Sequence, residues 1–411
     1  YNNNFMIPVA LSGDRTYNAD VIRKYVISGN SKIPGASTVH FDEISKDKIF
    51  KSIDKIKGMK TLIKESYVSL KNRLGRIPLL YDFYENQEID PLVIIREYKT
   101  YDAFMVAMEQ DKYKNVLNEQ EKLTLEYLSK TVLSGVRPDE LVILSQLLHR
   151  DHIAVADFIK EYQNTYGIEI STSRVKEAVQ VLQGHFVSKE AEYQKYCQID
   201  ILENDPAGMI KRLQSYTERL THIPFYTQVE DIIKVGIARY KEKYLPGIKS
   251  EDPFVLYEKY SRRDVSLLMN CGKDLSSIMY GMKRIENDVF IFITYHKEES
   301  QDEKNYVDGK PDYADAFEDN LIFKWDSQIG KGLDSSYMKD VLGADRKHLF
   351  VKKSDAETSF YYMGQFDVLE ARNAQKEDNR GRMQPITKVT MKMHHAVRED
   401  LLRYLQSHIT A

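Results

Sequence analysis

Cysteine and tryptophan are scarce in this 411-residue chain, which has two Cys and one Trp. Cys197 and Cys271 cannot make a disulfide framework or a four-ligand zinc site, so a reducing, cytoplasmic setting is expected. No apolar run approaches the roughly 18 residues of a membrane span, and no membrane partner is expected. The chain opens Tyr1-Asn2-Asn3-Asn4-Phe5, without the basic start and apolar run of a secretory signal. It also lacks an initiator Met there, so a piece of a longer protein is expected. No G-x-x-x-x-G-K-S/T phosphate loop occurs, and Gly330-Lys331-Gly332 lacks the strand–loop–helix setting such a loop needs. No Ser sits on a nucleophile elbow, and neither Cys has an evident base. His149 and His152 have no further ligands nearby in sequence. His394 and His395 are adjacent on a predicted strand and point to opposite faces. Catalytic and metal-binding residues are therefore assigned to none.

What is present is an ordinary globular balance, 42% hydrophobic and 29% charged, in a chain long enough for two or three domains. The net charge of -3 argues against a uniformly basic nucleic-acid binder, but the charge is unevenly placed. Residues 298–319 hold nine acids and two lysines, a local charge of -7. Residues 346–403 hold twelve Lys or Arg and eight acids, a local charge of +4. The second stretch is the better DNA-facing surface, and the first would repel phosphate. Solvated faces with no partner give the same charge pattern.

The patterning divides the chain into three regions. Residues 1–50 read as two short strands, Met6–Leu11 and Ser37–Phe41, flanking a helix. That is too little for a core of its own. Residues 51–258 read as helical, with helical apolar spacing over Lys60–Leu70, a capping start at Asn118-Glu119-Gln120-Glu121 and Pro138 ahead of Asp139–Leu148. Arg73-Leu74-Gly75-Arg76-Ile77-Pro78 is echoed by Arg219-Leu220-Thr221-His222-Ile223-Pro224. Each fits a small helix-turn-helix unit, a shape used both for DNA contact and for plain packing. Residues 259–411 carry β-branched and aromatic runs at Val289–Tyr295, Leu321–Trp325, His348–Val351, Ser359–Met363 and Ile386–Met393, closed by a helix over Val397–Ile409. Such short strands suggest a barrel or sandwich.

Several motifs fall in register in this last region: Ser261-Arg262-Arg263-Asp264-Val265, Leu275–Gly281, Thr294-Tyr295-His296-Lys297, Phe323–Gln328, Leu349–Asp355 and Phe360–Gly364. In order and spacing they resemble, over about 150 residues, the C-terminal domain of large bacterial DEAD/DEAH-box helicases that carry a phospholipase-D-type nuclease at the front. The segment from Ile7 to Asp42 is similar to the stretch after the second helicase lobe in those proteins. The family that these motifs resemble is that of SauUSI-like, ATP-dependent Type IV restriction enzymes. The resemblance implies an α+β multidomain chain. Residues 1–50 would be a remnant following the second helicase lobe, 51–258 a helical coupler, and 259–411 a PUA/SRA-like β-barrel with flanking helices that reads modified DNA. It implies recognition of 5-methylcytosine or 5-hydroxymethylcytosine by base flipping. The partners would be double-stranded DNA with modified cytosine, the upstream helicase and nuclease of the same chain, and a homodimer formed through the full-length protein. No cofactor is expected here. ATP and a divalent metal would serve only the upstream domains, and this piece would not be an enzyme.

Reading a methyl on cytosine requires enclosing the base, hence removing it from the stack, in a pocket of aromatic faces with an acceptor for N4–H. Tyr295, Phe323, Trp325, Tyr361 and Tyr362 offer faces, and Asp326, Ser327 and Gln328 offer polar readers. The expected pocket is Tyr295, Trp325, Asp326, Ser327, Gln328 and Tyr361. Trp325, between Lys324 and Asp326, reads as partly exposed, yet strand aromatics such as Trp325 and Tyr361 fit a core equally. Arg262, Arg263, Lys297, Lys352, Lys353, Arg380 and Arg382 are the cations expected on the DNA backbone or in a groove. Asn379-Arg380-Gly381-Arg382 reads as a mobile arm or as an idle loop. Two rivals stand beside a DNA reader. One is a protein-interaction or dimerisation module without base readout, and the other is a nuclease with an unrecognised site.

Overall fold

The computed structural model describes residues 58–205, 208–248, 252–296, 306–307, 310–311, 315–354, 357–378 and 380–406. The strand–helix–strand remnant expected over 1–50 lies outside these residues. The chain forms two compact units, Tyr1–Leu245 and Pro246–Ala411. The division falls before the 258/259 boundary read from composition. Phe254 is 3% exposed and meets Phe290, Phe350 and Tyr362 edge-on or tilted, so this segment belongs with the β unit.

The first unit is mostly helical, and its sequence stops and starts each helix with local chemistry. Asn118 accepts from the Glu121 N–H at 2.9 Å while Glu121 accepts from the Asn118 N–H at 2.9 Å, closing a capping box ahead of Glu119–Thr131. Asp90 caps Pro91–Tyr98, where Pro holds the first helical position, and Ser171 caps Thr172–Leu182. The helix Ile223–Arg239 buries Phe225, Val229, Ile232, Ile233 and Val235 in a core that also takes Tyr127, Leu141 and Phe158. Its Gly236 is forced by close approach, since a Cβ there would stand 2.7 Å from a Leu141 methyl and 3.1 Å from the Val132 carbonyl. Arg239 at the helix end pairs with Asp90 through both carboxylate oxygens. A three-stranded antiparallel sheet, β1 (His152–Ala154), β2 (Leu202–Asp205) and β3 (Met209–Arg212), lies in the order β1-β3-β2. The expected all-helical middle therefore contains a small sheet. Strands of three and four residues are too short to show a period of two.

In the second unit, β4 (Lys259–Tyr260), β5 (Met282–Ile285), β6 (Asp288–His296), β9 (Ala316–Phe317), β10 (Ile322–Asp326), β11 (Arg346–Ser354), β12 (Phe360–Glu377) and β13 (Met383–Met393) form one mixed sheet. Its order is β5-β6-β11-β12-β13-β10-β9, with β4 on β12. A separate pair, β7 (Tyr306–Val307) and β8 (Lys310–Pro311), lies off it. The α+β class stands. No closed barrel is found among the described residues: the order is linear and ends at β5 and β9. One pairing, β6 with β11, is parallel, and a parallel pair needs a crossover rather than a hairpin.

That parallel pair is buried on both faces, which explains the unbroken apolar run Val289–Tyr295. Val289, Ile291, Ile293 and Tyr295 join Leu349, Val351, Met338, Val341, Leu401 and Leu405 in one core. On the other face, Phe290 stacks on His348 with centroids 4.9 Å apart, and Phe292 stacks on Phe350 at 5.1 Å. Full burial of each such ring contributes about 1.5–3 kcal/mol.

β12 is long because it leaves the sheet. It pairs with β11 as far as Gln365, and from Phe366 onward its partner is β13, with a register shift inside that ladder at Val368/Glu370. β10 flanks β13 only as far as Asp326↔Lys388. The pairs from Arg372↔Lys388 to Glu377↔Met383 carry a two-stranded ribbon about 17 Å beyond the end of β10 at the usual strand rise, with Ile386 and Thr387 buried at its root.

Candidate nucleic-acid interface

The ribbon places Arg380, Gly381 and Arg382 at its tip. The Asp378 carboxylate organises the turn: it accepts from the Arg380 N–H at 2.9 Å, the Arg382 N–H at 3.0 Å and the Arg382 Nε at 3.0 Å. The Arg382 and Arg380 backbone N–H groups, with the Arg382 side chain, hold that carboxyl below its usual range. Gly381 has φ +73°, the left-handed conformation this turn requires. Arg382 is ion-paired within the turn, whereas Arg380 has no ion pair among the described residues. Met383 beside them is 62% exposed. Arg380, Gly381 and Arg382, in the segment read as a mobile arm or an idle loop, lie in the turn that closes the ladder after Glu377↔Met383.

The loop after β10 braces the ribbon's root. Ser327 and Thr387 bond reciprocally. The Ser327 N–H donates to the Thr387 carbonyl at 2.9 Å, and the Thr387 N–H donates to Ser327 Oγ at 2.8 Å. Both side chains also donate to the Lys331 carbonyl, at 2.7 and 3.1 Å. The Gly330 N–H donates to the Pro385 carbonyl, and the Leu333 N–H to Asn373 Oδ1. Pro385 lacks an N–H and stands where no further strand needs one.

Across this loop Gln328 reaches the turn before β5, its Nε2 donating to the Tyr280 carbonyl at 3.1 Å. Gly281, at φ +73°, leaves room for that amide: a Cβ there would stand 2.6 Å from Gln328 Nε2. Tyr280 is 64% exposed and its ring lies over Arg262, with Cζ 5.0 Å from its centroid. The same guanidinium lies 5.6 Å from the Phe292 centroid and 5.2 Å from that of Phe360. Burial lowers the Arg262 pKa from the usual arginine value, an effect the nearby Tyr280 opposes. Arg262 Nε is buried and makes no hydrogen bond, and no carboxylate pairs with this guanidinium among the described residues. Lys352 Nζ lies 5.4 Å from the Phe360 centroid and donates to the Glu357 carbonyl.

The other expected site residues are placed differently. Tyr295, Trp325 and Tyr361 are 7%, 5% and 7% exposed, and all three belong to the core. Trp325, expected to be partly exposed, is instead buried and stacked on Tyr337 at 6.3 Å, because it faces inward between two outward strand neighbours. Phe323 and Tyr362 are also buried. Asp326 is half-buried at the end of β10, and its backbone N–H donates to Asp315. Arg263 is ion-paired with Asp274 at 2.6 Å. Lys353 is 3% exposed, with Nζ over the Tyr404 ring. Lys297 lies outside the described residues. The structure thus brings Arg262 and Gln328 together through Tyr280, a residue absent from the set expected on sequence grounds.

In the first unit the two helix-turn-helix echoes have their cations engaged internally. Arg76 binds Asp82 through two bonds of 2.6 and 2.7 Å, and Arg73 pairs with Glu88 at 3.0 Å. Arg219 donates to the carbonyls of Ile199 and Asp200. His149 and His152 are exposed, on a turn and a strand rather than one helix. Among the described residues no helix is long and apolar enough to cross a membrane.

Two family models match the chain. Residues 63–244 are similar to a domain of unknown function, DUF8090, and residues 254–405 to a second, DUF3427. The second is a domain found in helicase-associated proteins. No curated protein matches the chain.

Proposed function

We propose that the second unit binds double-stranded DNA containing 5-methylcytosine or 5-hydroxymethylcytosine and reads the modified base after it leaves the stack. In this reading the unit is the recognition part of a SauUSI-like, modification-dependent restriction enzyme. The helical unit couples recognition to an upstream helicase and nuclease. The chain itself neither cuts DNA nor hydrolyses ATP, and ATP and a divalent metal act in the upstream domains.

The observation that carries the reading is the projecting ribbon with Arg380 and Arg382 at its tip. A two-stranded ribbon fits the major groove of B-form DNA, and arginines at its end meet phosphates or base edges. Its root is held by the Ser327–Thr387 clamp, so the tip is presented on a braced element. The similarity of residues 254–405 to a domain found in helicase-associated proteins is in keeping with this role. Fluorescence anisotropy with a labelled duplex at several salt concentrations tests it. Phosphate contact predicts affinity that falls steeply as salt rises. Salt-independent binding, or none, would reject it.

A further inference from the structure

We infer that the corner formed by Tyr280, Arg262 and Gln328 is the seat of an unpaired nucleobase and its phosphate. The inference rests on the proposed DNA reading and places the base away from the aromatic set expected from the sequence, whose rings are buried.

Three features of the corner point to a ligand of this class. The first is a flat ring presented to solvent. Tyr280 is 64% exposed with the Arg262 guanidinium over its ring, and Ile278 and Ile329 are 54% and 42% exposed. An exposed aromatic backed by a guanidinium is a stacking surface, and any base has a π-face to lay on it. The second is a cation with no partner among the described residues. Arg262 is held among three rings, none of which neutralises it, and its Nε has no acceptor. A phosphate would neutralise that charge. The third is polar capacity at the edge of the platform. Gln328 Nε2 is fixed by the Tyr280 carbonyl, while its Oε1 accepts no hydrogen bond among the described residues. The Tyr337 hydroxyl beneath Gly281 is also buried without a partner, 3.4 Å from where a Cβ would stand. An amide oxygen held this way can accept from the exocyclic amino group of cytosine or adenine.

An unpaired base is favoured over a base in the duplex because Tyr280 lies on a turn beside the ribbon's root. Stacking on its face needs a base whose own face is free. Gly330 bonds to Pro385 of the ribbon and Gln328 bonds to Tyr280, so one short loop links the groove-entering element to the base seat.

The test compares the full chain with its Tyr280→Ala, Tyr280→Phe and Arg262→Gln variants. The probes are two duplexes of one sequence, one fully paired and one with a single bulged 2-aminopurine. Thermal melts accompany the titrations, and the exposure of Tyr280 means that its variants should keep the fold. The expected result is that wild type and Tyr280→Phe bind the bulged duplex in preference to the paired one and quench its fluorescence. Tyr280→Ala loses roughly tenfold on the bulged duplex and little on the paired one. Arg262→Gln weakens the bulged duplex in the same direction. Bulged-duplex affinity and quenching unchanged in both Tyr280→Ala and Arg262→Gln would overturn the base seat and leave the DNA reading in place. Binding of neither duplex by wild type would remove the DNA reading, and the seat with it.

Discussion

Asp90 and Arg239, 149 residues apart, meet in a bidentate ion pair at 2.7 and 2.9 Å inside the helical unit. Both are buried, and Arg239 also donates from Nε to the Ser134 carbonyl. Burial alone would raise the Asp90 carboxyl, but the Arg239 and Lys243 charges outweigh it and hold it at about 2, against 3.8 for the free side chain. The folded pKa is therefore depressed. The contribution, about 2 kcal/mol, is complete well above pH 4 and is lost as the pH falls towards 2. Urea unfolding at pH 7 should show Asp90→Ala destabilised by about 3–5 kcal/mol, since it leaves a buried guanidinium unpaired. The difference from wild type should shrink as the pH is lowered through that window.

Ser327 has the chemistry of a base reader, yet its hydroxyl accepts from the Thr387 N–H and donates to the Lys331 carbonyl. Ser327→Ala leaves the buried Thr387 N–H without a partner, while the Lys331 carbonyl keeps its bond from the Thr387 hydroxyl, and should cost about 1–3 kcal/mol. Hydrogen exchange should then rise at Thr387 and Gly330. Unchanged stability would show that the clamp is dispensable.

Trp325 gives a sharper case. Its indole is 5% exposed and stacked on Tyr337. Trp325→Ala should cost about 3–5 kcal/mol, seen as a large fall in the denaturation midpoint. A variant of unaltered stability and altered base selectivity would restore the pocket read from the sequence.

At the ribbon tip, Arg380→Ala should weaken paired duplexes of any cytosine state alike and reduce the slope of log affinity against log salt by about one. Arg382→Ala should do less to binding, because Arg382 is ion-paired to Asp378. It should also loosen the turn. Equal slopes for wild type and Arg380→Ala would take the tip out of the DNA contact.

Much of this architecture is legible in the chain, and the gaps have physical causes. The helical stretch announces itself through caps such as Asn118/Glu121, and the buried strand β6 through its unbroken apolar run. Pairing is not legible. Nothing in Val289–Tyr295 or His348–Val351 tells that these strands run parallel, so a linear mixed sheet reads as a barrel. The outer half of β12 passes for a polar loop because its own residues from Glu370 to Glu377 are exposed or half-buried and show no apolar alternation. Aromatics in strands draw attention as readers, whereas burial claims such rings. Tyr280 escapes notice because it sits in a turn with no periodic signal, although it lies within the run Leu275–Gly281. A Tyr flanked by Met279 and Gly281, downstream of a helix start with two arginines, is the cue that could have found it.

The central claim is met most directly by equilibrium competition among three duplexes identical except for one cytosine, 5-methylcytosine or 5-hydroxymethylcytosine, bound by the chain at fixed salt. Enclosure of the modified base predicts a preference of about tenfold for at least one modified duplex over the unmodified one, roughly 1.4 kcal/mol. Equal affinity for all three would contradict it.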